Sequence, residues 1–261
     1  MAIIVRLLMF ALLAFSAPCI AVPPLVMGDV TTADKSTFEW YAGTRYQKDG
    51  SGEQSRLLPT TELVYGLTDR MELTIESFGV SKGQQYGLGD AVIGTKYILL
   101  EETAARPGIA GSFELKLPTG DESRGFGSGE FDYDLRLRAQ KTWGRFTATG
   151  NLGYTFVTDP EYGGVVASTD NVWLAAFAQS YQVTKDTSLL SEVYFVSREA
   201  PGEANSLAAS IGFKHKLLDK LAVQAAIGTS LRENELGGPR LRLYVGFKYD
   251  FDAPWRAKSR L

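Results

Sequence analysis

The sequence has one cysteine, one histidine and, beyond its first residues, no long hydrophobic run. The cysteine, Cys19, lies in a segment that we expect to be removed, so the mature chain would lack disulfides, thiol nucleophiles and thiolate metal sites. Without an apolar run of about 20 residues, no membrane-spanning helix is expected in the mature chain. The net charge of −3 argues against a nucleic-acid-binding protein, which would usually carry a basic stripe.

The N-terminus has the pattern of a secretory signal. Met1–Arg6 carries a positive charge, Leu7–Ser16 is apolar, and Cys19–Ala21 has the small-x-small form of a cleavage site. The apolar run is too short to span a bilayer. The pattern predicts a signal peptide over 1–21, cleaved after Ala21, and one domain over 22–261, with an uncleaved anchor as the alternative.

The stretch RFTATGNLGYTFV, residues 145–157, alternates strictly between two faces. Phe146, Leu152 and Phe156 share an apolar face, whereas the intervening residues are mostly threonine, with Asn151 and Gly153. A period of two over eleven residues predicts a β-strand with one apolar and one polar side.

Similar patterns recur along the chain and predict twelve strands, at 37–47, 56–66, 70–79, 86–100, 106–117, 129–142, 145–157, 170–183, 187–198, 205–217, 221–231 and 239–251. Soluble strands average about 5–6 residues, whereas a tilted membrane strand needs about 9–11. The predicted connections alternate between short turns and longer, Gly-rich or charged loops. This alternation is typical of outer-membrane barrels, with short turns and both termini on the periplasmic side.

The sequence therefore predicts an all-β fold, a closed antiparallel transmembrane β-barrel of about twelve strands. A soluble sandwich shows the same local alternation, but strand length, loop asymmetry and the signal favour the barrel. Only a closed barrel brings so polar a chain through a bilayer, because every backbone group must be paired. The expected partners are outer-membrane lipid, the barrel-assembly machinery and a small-molecule solute, with no nucleic acid.

Several stretches resemble a bacterial family of outer-membrane transporters named for the MetA pathway of phenol degradation. They are YGLTDRMEL (65–73), GLGDAVIGTKYILL (87–100), FELKLPTGD (113–121), GSGEFDYDL (127–135) and NLGYTFV (151–157). The resemblance implies an outer-membrane barrel that moves small molecules, with aromatic compounds as candidates. The family's barrels usually end on an aromatic residue; here Phe251 is followed by DAPWRAKSRL.

The phase of the strands predicts a charged lumen, and with it the candidate site. In strand 129–142, four charged residues lie opposite the apolar face, and further charged residues share the lumen side of other strands. The residues that we expect to govern passage are Asp132, Asp134, Arg136, Arg138, Glu114, Lys116, Arg240 and Arg242. Two arginines on the lipid side would cost about 2–4 kcal/mol each at mid-bilayer. A salt-bridge network without a selectivity role is the alternative.

The expected function is passive uptake of small molecules, without catalysis, cofactor or metal. Alternatives are a structural barrel with a sealed lumen and a barrel enzyme acting on lipid. His215 is the sole histidine, and positions 213 and 217 hold Phe and Leu, so it lacks a nearby serine on its strand. An acidic calcium site at Asp121, Glu122, Glu130 and Asp132 matches no known ligand spacing, and a solvated loop is favoured.

Overall fold

The fold is taken from a computed structural model, which describes Leu25 and residues 27–49, 54–82, 85–162, 165–166, 168–198, 204–232 and 239–255. The predicted signal peptide and its cleavage site lie outside these residues. In the described parts of the chain, no helix is long and apolar enough to cross a membrane.

The residues that the structure describes form fifteen strands. They are β1 (Thr37–Asp49), β2 (Gln54–Thr68), β3 (Met71–Lys82), β4 (Gln85–Leu88), β5 (Ala91–Leu100), β6 (Gly108–Leu117), β7 (Asp132–Trp143), β8 (Phe146–Phe156), β9 (Glu161–Tyr162), β10 (Val165–Val166), β11 (Val172–Gln182), β12 (Thr187–Val196), β13 (Ser206–Leu218), β14 (Leu221–Ser230) and β15 (Pro239–Asp252). A single 3₁₀ turn, Glu122–Arg124, interrupts the loop before β7.

Twelve of these strands form a closed antiparallel barrel. Neighbours in the chain are neighbours in the sheet, from β2 through β1, β15, β14, β13, β12, β11, β8, β7, β6 and β5 to β3. The pairing of β2 with β3 completes the ring, and the seam between the two ends of the chain is the pairing of β1 with β15. Closure leaves no barrel strand with an unpaired edge. The predicted barrel is confirmed.

The two faces of β8 show how the alternation is used. Leu152 and Phe156 point outward and are 60% and 45% exposed, whereas Thr149, Asn151 and Thr155 point inward and are buried. The apolar residues of 145–157 therefore form the outer surface, which faces lipid in a membrane. The polar residues line the lumen, as the alternation predicted.

The structure departs from the predicted strands in two places. The single strand expected over 86–100 is broken at Gly89 and Asp90 into β4, which pairs only with the outer end of β3, and β5. The break follows from close packing, because a Cβ on Gly89 would lie 2.4 Å from the Phe78 ring. The loop predicted at 158–169 contains the short hairpin of β9 and β10.

The chain leaves the barrel just after its last strand and folds back on the outer surface. The Trp255 ring lies 5.9 Å from that of Phe38 and 5.7 Å from that of Tyr65. Its Nε1 donates a hydrogen bond to the Tyr65 hydroxyl at 3.3 Å. Phe251 stacks on Phe38 from the other side. Trp255, four residues beyond Phe251, thus extends the aromatic cluster beside the last strand.

Candidate functional site: the lumen and the segment that crosses it

The ionisable side chains that are buried in the lumen lie almost entirely on one half of the barrel. We call this half, formed by β1, β2, β3, β5, β6 and β7, the charged wall. Its buried ionisable residues are Arg45, Glu62, Glu72, Glu76, Asp90, Lys96, Glu114, Asp132, Asp134, Arg136 and Arg138. A charge removed from water needs a partner or a hydrogen bond, so the contacts of these groups decide what the wall can do.

The four predicted residues of β7 form the centre of this wall. The Arg136 Nε donates to Asp134 at 2.7 Å, and the Thr155 hydroxyl donates to the same carboxylate at 2.7 Å. The Arg138 Nη1 donates to the Ser112 hydroxyl at 2.8 Å. Asp132 contacts the Lys116 ammonium. Arg136 and Asp134 therefore balance one another, whereas Arg138 is bonded to a neutral hydroxyl.

The two predicted residues of β6 join the same group. The Lys116 ammonium also donates to the Ser128 hydroxyl at 2.7 Å. Glu114 is the register partner of Asp134, and its Oε2 is buried without a hydrogen-bond partner among the described residues. Six of the eight predicted site residues are thus brought together on neighbouring strands.

The remaining two, Arg240 and Arg242, are on β15, which lies across the barrel from β7. Arg240 is exposed at the outer end of its strand, and Arg242 is the register partner of Gln47 on β1. The predicted set is therefore divided between opposite sides of the barrel. The period of two along each strand predicts the face of each residue but not which strands lie opposite one another.

The opposite part of the lumen is almost free of buried charge. We call this part, formed by β8, β11, β12, β13 and β14, the neutral wall; β15 lies between β14 and β1 and belongs to neither wall. The buried residues of the neutral wall are Thr149, Asn151, Thr155, Val172, Leu174, Ala178, Glu192, Tyr194, Ala208, Ser210, Ala222 and Gln224. Glu192 is the single acidic or basic residue in this buried set. Leu174, Tyr194 and Ala208 pack together as an apolar cluster, with Ala176 and Val196 beside them.

The segment before β1 crosses the lumen between the two walls. We call Leu25 and residues 27–36 the strap. Its backbone amides are held by side chains of distant strands: Ala33 N donates to Glu72 at 2.8 Å, and Met27 N donates to Glu192 at 3.1 Å. Val30 N donates to Gln140 at 3.4 Å. Glu72, Gln140 and Glu192 are on β3, β7 and β12, so the strap extends from the charged wall to the neutral wall.

Side chains of the strap complete these contacts at both walls. Lys96 bridges Asp29 of the strap at 3.4 Å and Glu72 at 3.0 Å. At the other wall, Leu25 and Met27 pack on Ala178 as a small apolar cluster. The strap is polar where it meets charge and apolar where it meets small hydrophobic residues.

A tight junction leads from the strap into the barrel. Ser36 has a φ of 60°, an uncommon value for a residue with a Cβ. Its amide donates to Gly66 O at 2.8 Å, and its carbonyl accepts from Ala253 N at 3.0 Å. A Cβ on Gly66 would lie 2.1 Å from the carbonyl oxygen of Asp34, so only glycine lets the strap lie against β2.

The loop of residues 118–131 is tied to the outer mouth by one buried carboxylate. Asp90 accepts from Gly120 N and from Ser128 N, both at 2.9 Å. Phe126 is buried where a Cβ on Gly87 would clash with its ring, at 2.2 Å. The motifs Gly-x-Gly-Asp, Leu-Pro-Thr-Gly-Asp and Gly-Ser-Gly, far apart in sequence, thus form one structural unit.

The exposed acidic residues of the outer loops do not gather into a site. Asp121 accepts from the Ser123 hydroxyl and from Arg124 N, and the Ser123 hydrogen bond helps to hold the pKa of Asp121 below its usual value. Hydrogen bonds from Thr169 lower the pKa of Asp159 in the same way. Within the described residues, no group of three or more His, Cys, Asp or Glu side chains could hold a metal ion.

His215 lies on the outer face and its Nδ1 is 2.9 Å from the Thr187 hydroxyl on the neighbouring strand. A nucleophile-and-base pair would need a serine, cysteine or threonine activated by a base that a third group orients. Thr187 is the first residue of β12, next to the short turn before it, away from the lumen. The geometry is that of a hydrogen bond between neighbouring strands.

The family of the chain is shown by a match to a protein-family model. The family model described as "Putative MetA-pathway of phenol degradation" matches residues 25–253. The chain belongs to this family. The matched region includes both the strap and the whole barrel of this family member. No curated protein matches the chain significantly.

Solved structures share the fold of this family member. The COG4313 outer membrane channel from Pseudomonas putida F1 is 19% identical and superposes with a TM-score of 0.71 over 88% of this chain and 100% of that chain. The NanC porin is 10% identical, with a TM-score of 0.59 over 80% of this chain and 98% of that chain. The KdgM porin, in complex with disordered oligogalacturonate, is 12% identical, with a TM-score of 0.55 over 81% of this chain and 99% of that chain. The fold is that of outer-membrane β-barrels.

Proposed function

We propose that the protein is an outer-membrane channel for passive uptake of small molecules, that the strap narrows its lumen, and that it catalyses no reaction. The observation that carries the proposal is the strap itself. The strap, held by hydrogen bonds and one lysine bridge, crosses the lumen of the barrel. Such contacts can be exchanged for contacts with water or solute, because the net contribution of a hydrogen bond to stability is modest.

The size of the barrel supports the same function. About eight strands leave room only for side chains, whereas 16–18 leave an open aqueous channel. Twelve strands leave space for a narrow path, and the strap takes up part of it. Such a path suits solutes of low mass. The similarity to a solved outer-membrane channel over the whole of that chain supports the proposal, and the phenol-degradation name of the family supports aromatic solutes.

The remaining predictions about the chain's biology belong to this proposal. Residues 1–21 would direct export and be cleaved after Ala21, and the barrel-assembly machinery would insert residues 22–261. The exterior aromatic and aliphatic side chains would contact lipid. After this cleavage, the strap would be the N-terminal part of the mature chain.

Planar-bilayer conductance tests the proposal directly. The full-length mature protein is compared with a variant that lacks residues 25–34, both checked for folded barrel by heat-modifiable gel mobility. We expect the variant to conduct severalfold better, because its lumen loses the crossing segment. Absence of conductance in both folded proteins would exclude a channel.

A sealed structural barrel is the second candidate, and one observation favours it. The lumen side chains of both walls are largely buried, so these side chains and the strap fill much of the interior of the barrel. The same experiment separates the candidates. A sealed barrel remains non-conducting after removal of the strap, whereas a channel opens.

A further inference from the structure

One continuous row of inward side chains lies immediately on the outer side of the strap. In register from β7 to β13, the row is Arg138, Asn151, Ala176, Tyr194 and Ala208. The next row toward the periplasm contains Gln140 and Glu192, which hold the strap. A solute that enters from outside would therefore meet this row with the strap as its floor.

The charged end of the row carries a cation that makes no direct ion pair. Within the described residues, no carboxylate oxygen lies within the 4.0 Å of an ion pair from the Arg138 guanidinium, although Arg136, Lys96 and Lys116 each have one. The Nη1 of Arg138 is bonded to Ser112, and its Nε is buried without a hydrogen-bond partner. A buried guanidinium in this state is stabilised by any anion that reaches it.

The register partner of Arg138 has the same deficiency. Asn151 is 3% exposed, and neither its Nδ2 nor its Oδ1 has a hydrogen-bond partner among the described residues. A side-chain amide offers a donor and an acceptor, so this register pair of neighbouring strands carries two unpartnered donors, Arg138 Nε and Asn151 Nδ2. Buried polar groups are seldom left unpaired, which makes this pair a candidate for an absent ligand.

The far end of the row is apolar. Ala176 stands next to Asn151, and Leu174, Tyr194 and Ala208 form the buried cluster beyond it. Gly153 adds no side chain between Arg136 and Leu174, where a Cβ would already lie 3.4 Å from the arginine and 3.3 Å from the leucine. Only a glycine therefore separates Arg136 from Leu174, so charge and hydrocarbon lie close together on this side of the lumen.

The strap covers Arg138 closely. Gly28 lies against the arginine, where a Cβ would be 3.2 Å from its Nε. Glycine at this position therefore leaves the guanidinium the room that a side chain of the strap would take.

We infer that this row is a binding site for a small organic anion, such as an aromatic carboxylate, whose charged group contacts Arg138 and Asn151 and whose ring lies on Ala176, Leu174 and Tyr194. The inference rests on the proposed uptake function and specifies its substrate class. An inorganic anion would satisfy the arginine alone. A neutral hydrocarbon would use the apolar cluster alone and leave the polar pair unsatisfied.

Calorimetric titration of the full-length protein in detergent tests the site, with benzoate as probe and chloride held constant. Acetate has the charge without the ring, and benzyl alcohol has the ring without the charge. We expect benzoate to bind at least about tenfold more tightly than either, and Arg138→Gln to weaken it about tenfold or more, as is typical for loss of a hydrogen bond to a charged group. Asn151→Ala should weaken benzoate and acetate by a similar, severalfold factor, because the carboxylate of each contacts Asn151.

Arg198→Gln is the matched control, because Arg198 is an exposed loop residue that pairs with Asp170 outside the lumen. Heat-modifiable mobility confirms that each variant is folded, and the Asn151 variant keeps the test decisive if the Arg138 variant fails to fold. Equal affinity for benzoate in wild type and the lumen variants, or equal affinity for acetate and benzoate, would overturn the inference. Conductance measured in parallel reports on the channel proposal alone, so failure of one is distinct from failure of the other.

Discussion

The charged wall and the neutral wall of the lumen hold the same strap through different interactions, an ion-pair bridge at the first and apolar packing at the second. At the charged wall, Lys96, Glu72 and Asp29 form a bridge whose strength depends on complete pairing. At the neutral wall, Leu25 and Met27 pack on Ala178, where strength depends on fit. Removing one member of a buried ion pair costs much stability, because the other charge stays buried without a partner. Removing apolar atoms costs only the contacts of those atoms and the cavity that they leave. The strap is held by both kinds of contact, so we expect neither salt alone nor hydrophobic solutes alone to displace it.

The largest effect should come from the charged wall. Lys96→Met leaves the buried Glu72 carboxylate without its cation, and we expect a loss of about 3–5 kcal/mol in unfolding free energy at this 3.0 Å pair. The Asp29 contact adds little, because its carboxylate is half exposed. Urea titration followed by heat-modifiable mobility measures the loss. The double variant Lys96→Met with Glu72→Gln should recover a large part of it, and Lys185→Met, on an exposed turn, should have almost no effect.

Gly66 tests whether the strap can be displaced while the barrel is kept. Gly66→Val places carbon where the Asp34 carbonyl lies, so we expect the strap to leave β2 and conductance to rise toward that of the strap deletion. Overpacking of this kind costs about 1–3 kcal/mol. Gly150→Ala is the control, since a Cβ there meets no atom within 4 Å. A Gly66→Val barrel that is folded and conducts as wild type would show that the strap does not limit passage.

The neutral wall is expected to respond to added volume. Ala178→Leu should destabilise the protein by about 1–3 kcal/mol through overpacking against Leu25 and Met27 in this buried cluster. Ala175→Leu is a matched change on the opposite, lipid-facing side of the same strand, and it should be nearly neutral. Equal destabilisation by the two variants would contradict the assignment of Ala178 to the strap contact.

The smallest of the lumen effects should be on selectivity. Replacing both Arg136 and Arg138 with glutamine removes two positive charges from the charged wall, so we expect the strap-deleted channel to become more selective for cations. Reversal potentials in a salt gradient measure this shift. Unchanged selectivity in folded protein would mean that these arginines belong only to the salt-bridge network that the sequence left as an alternative.

Asp90, at the outer mouth of the charged wall, provides a comparison away from the strap. Asp90→Asn keeps the size of the side chain but loses the charge that faces two backbone amides and the Lys116 ammonium, 4.0 Å away. We expect a loss of about 1–3 kcal/mol and faster proteolysis of the loop over 118–131. Asp121→Asn, on the exposed part of that loop, should leave proteolysis unchanged.

Strand positions and faces were predictable because a period of two is a local property of the chain. The twelve predicted strands are present, and β7 pairs with both neighbours without a bulge, so the phase assigned to Asp132, Asp134, Arg136 and Arg138 is correct. The strap was not predicted. Its sequence has no periodicity, and its position depends on Glu72, Gln140 and Glu192, which are distant in sequence. The break at Gly89 was missed for a similar reason, since it depends on packing against Phe78.

The hydrogen bonds of Ser36 have a consequence for the order in which the molecule assembles. One residue is bonded to β2 through Gly66 and to the segment just past β15 through Ala253. During synthesis β15 is the last strand to be made, so the Ser36 junction is incomplete until both ends of the chain meet at the seam. The junction between the strap and the barrel is therefore complete only after the ring has closed.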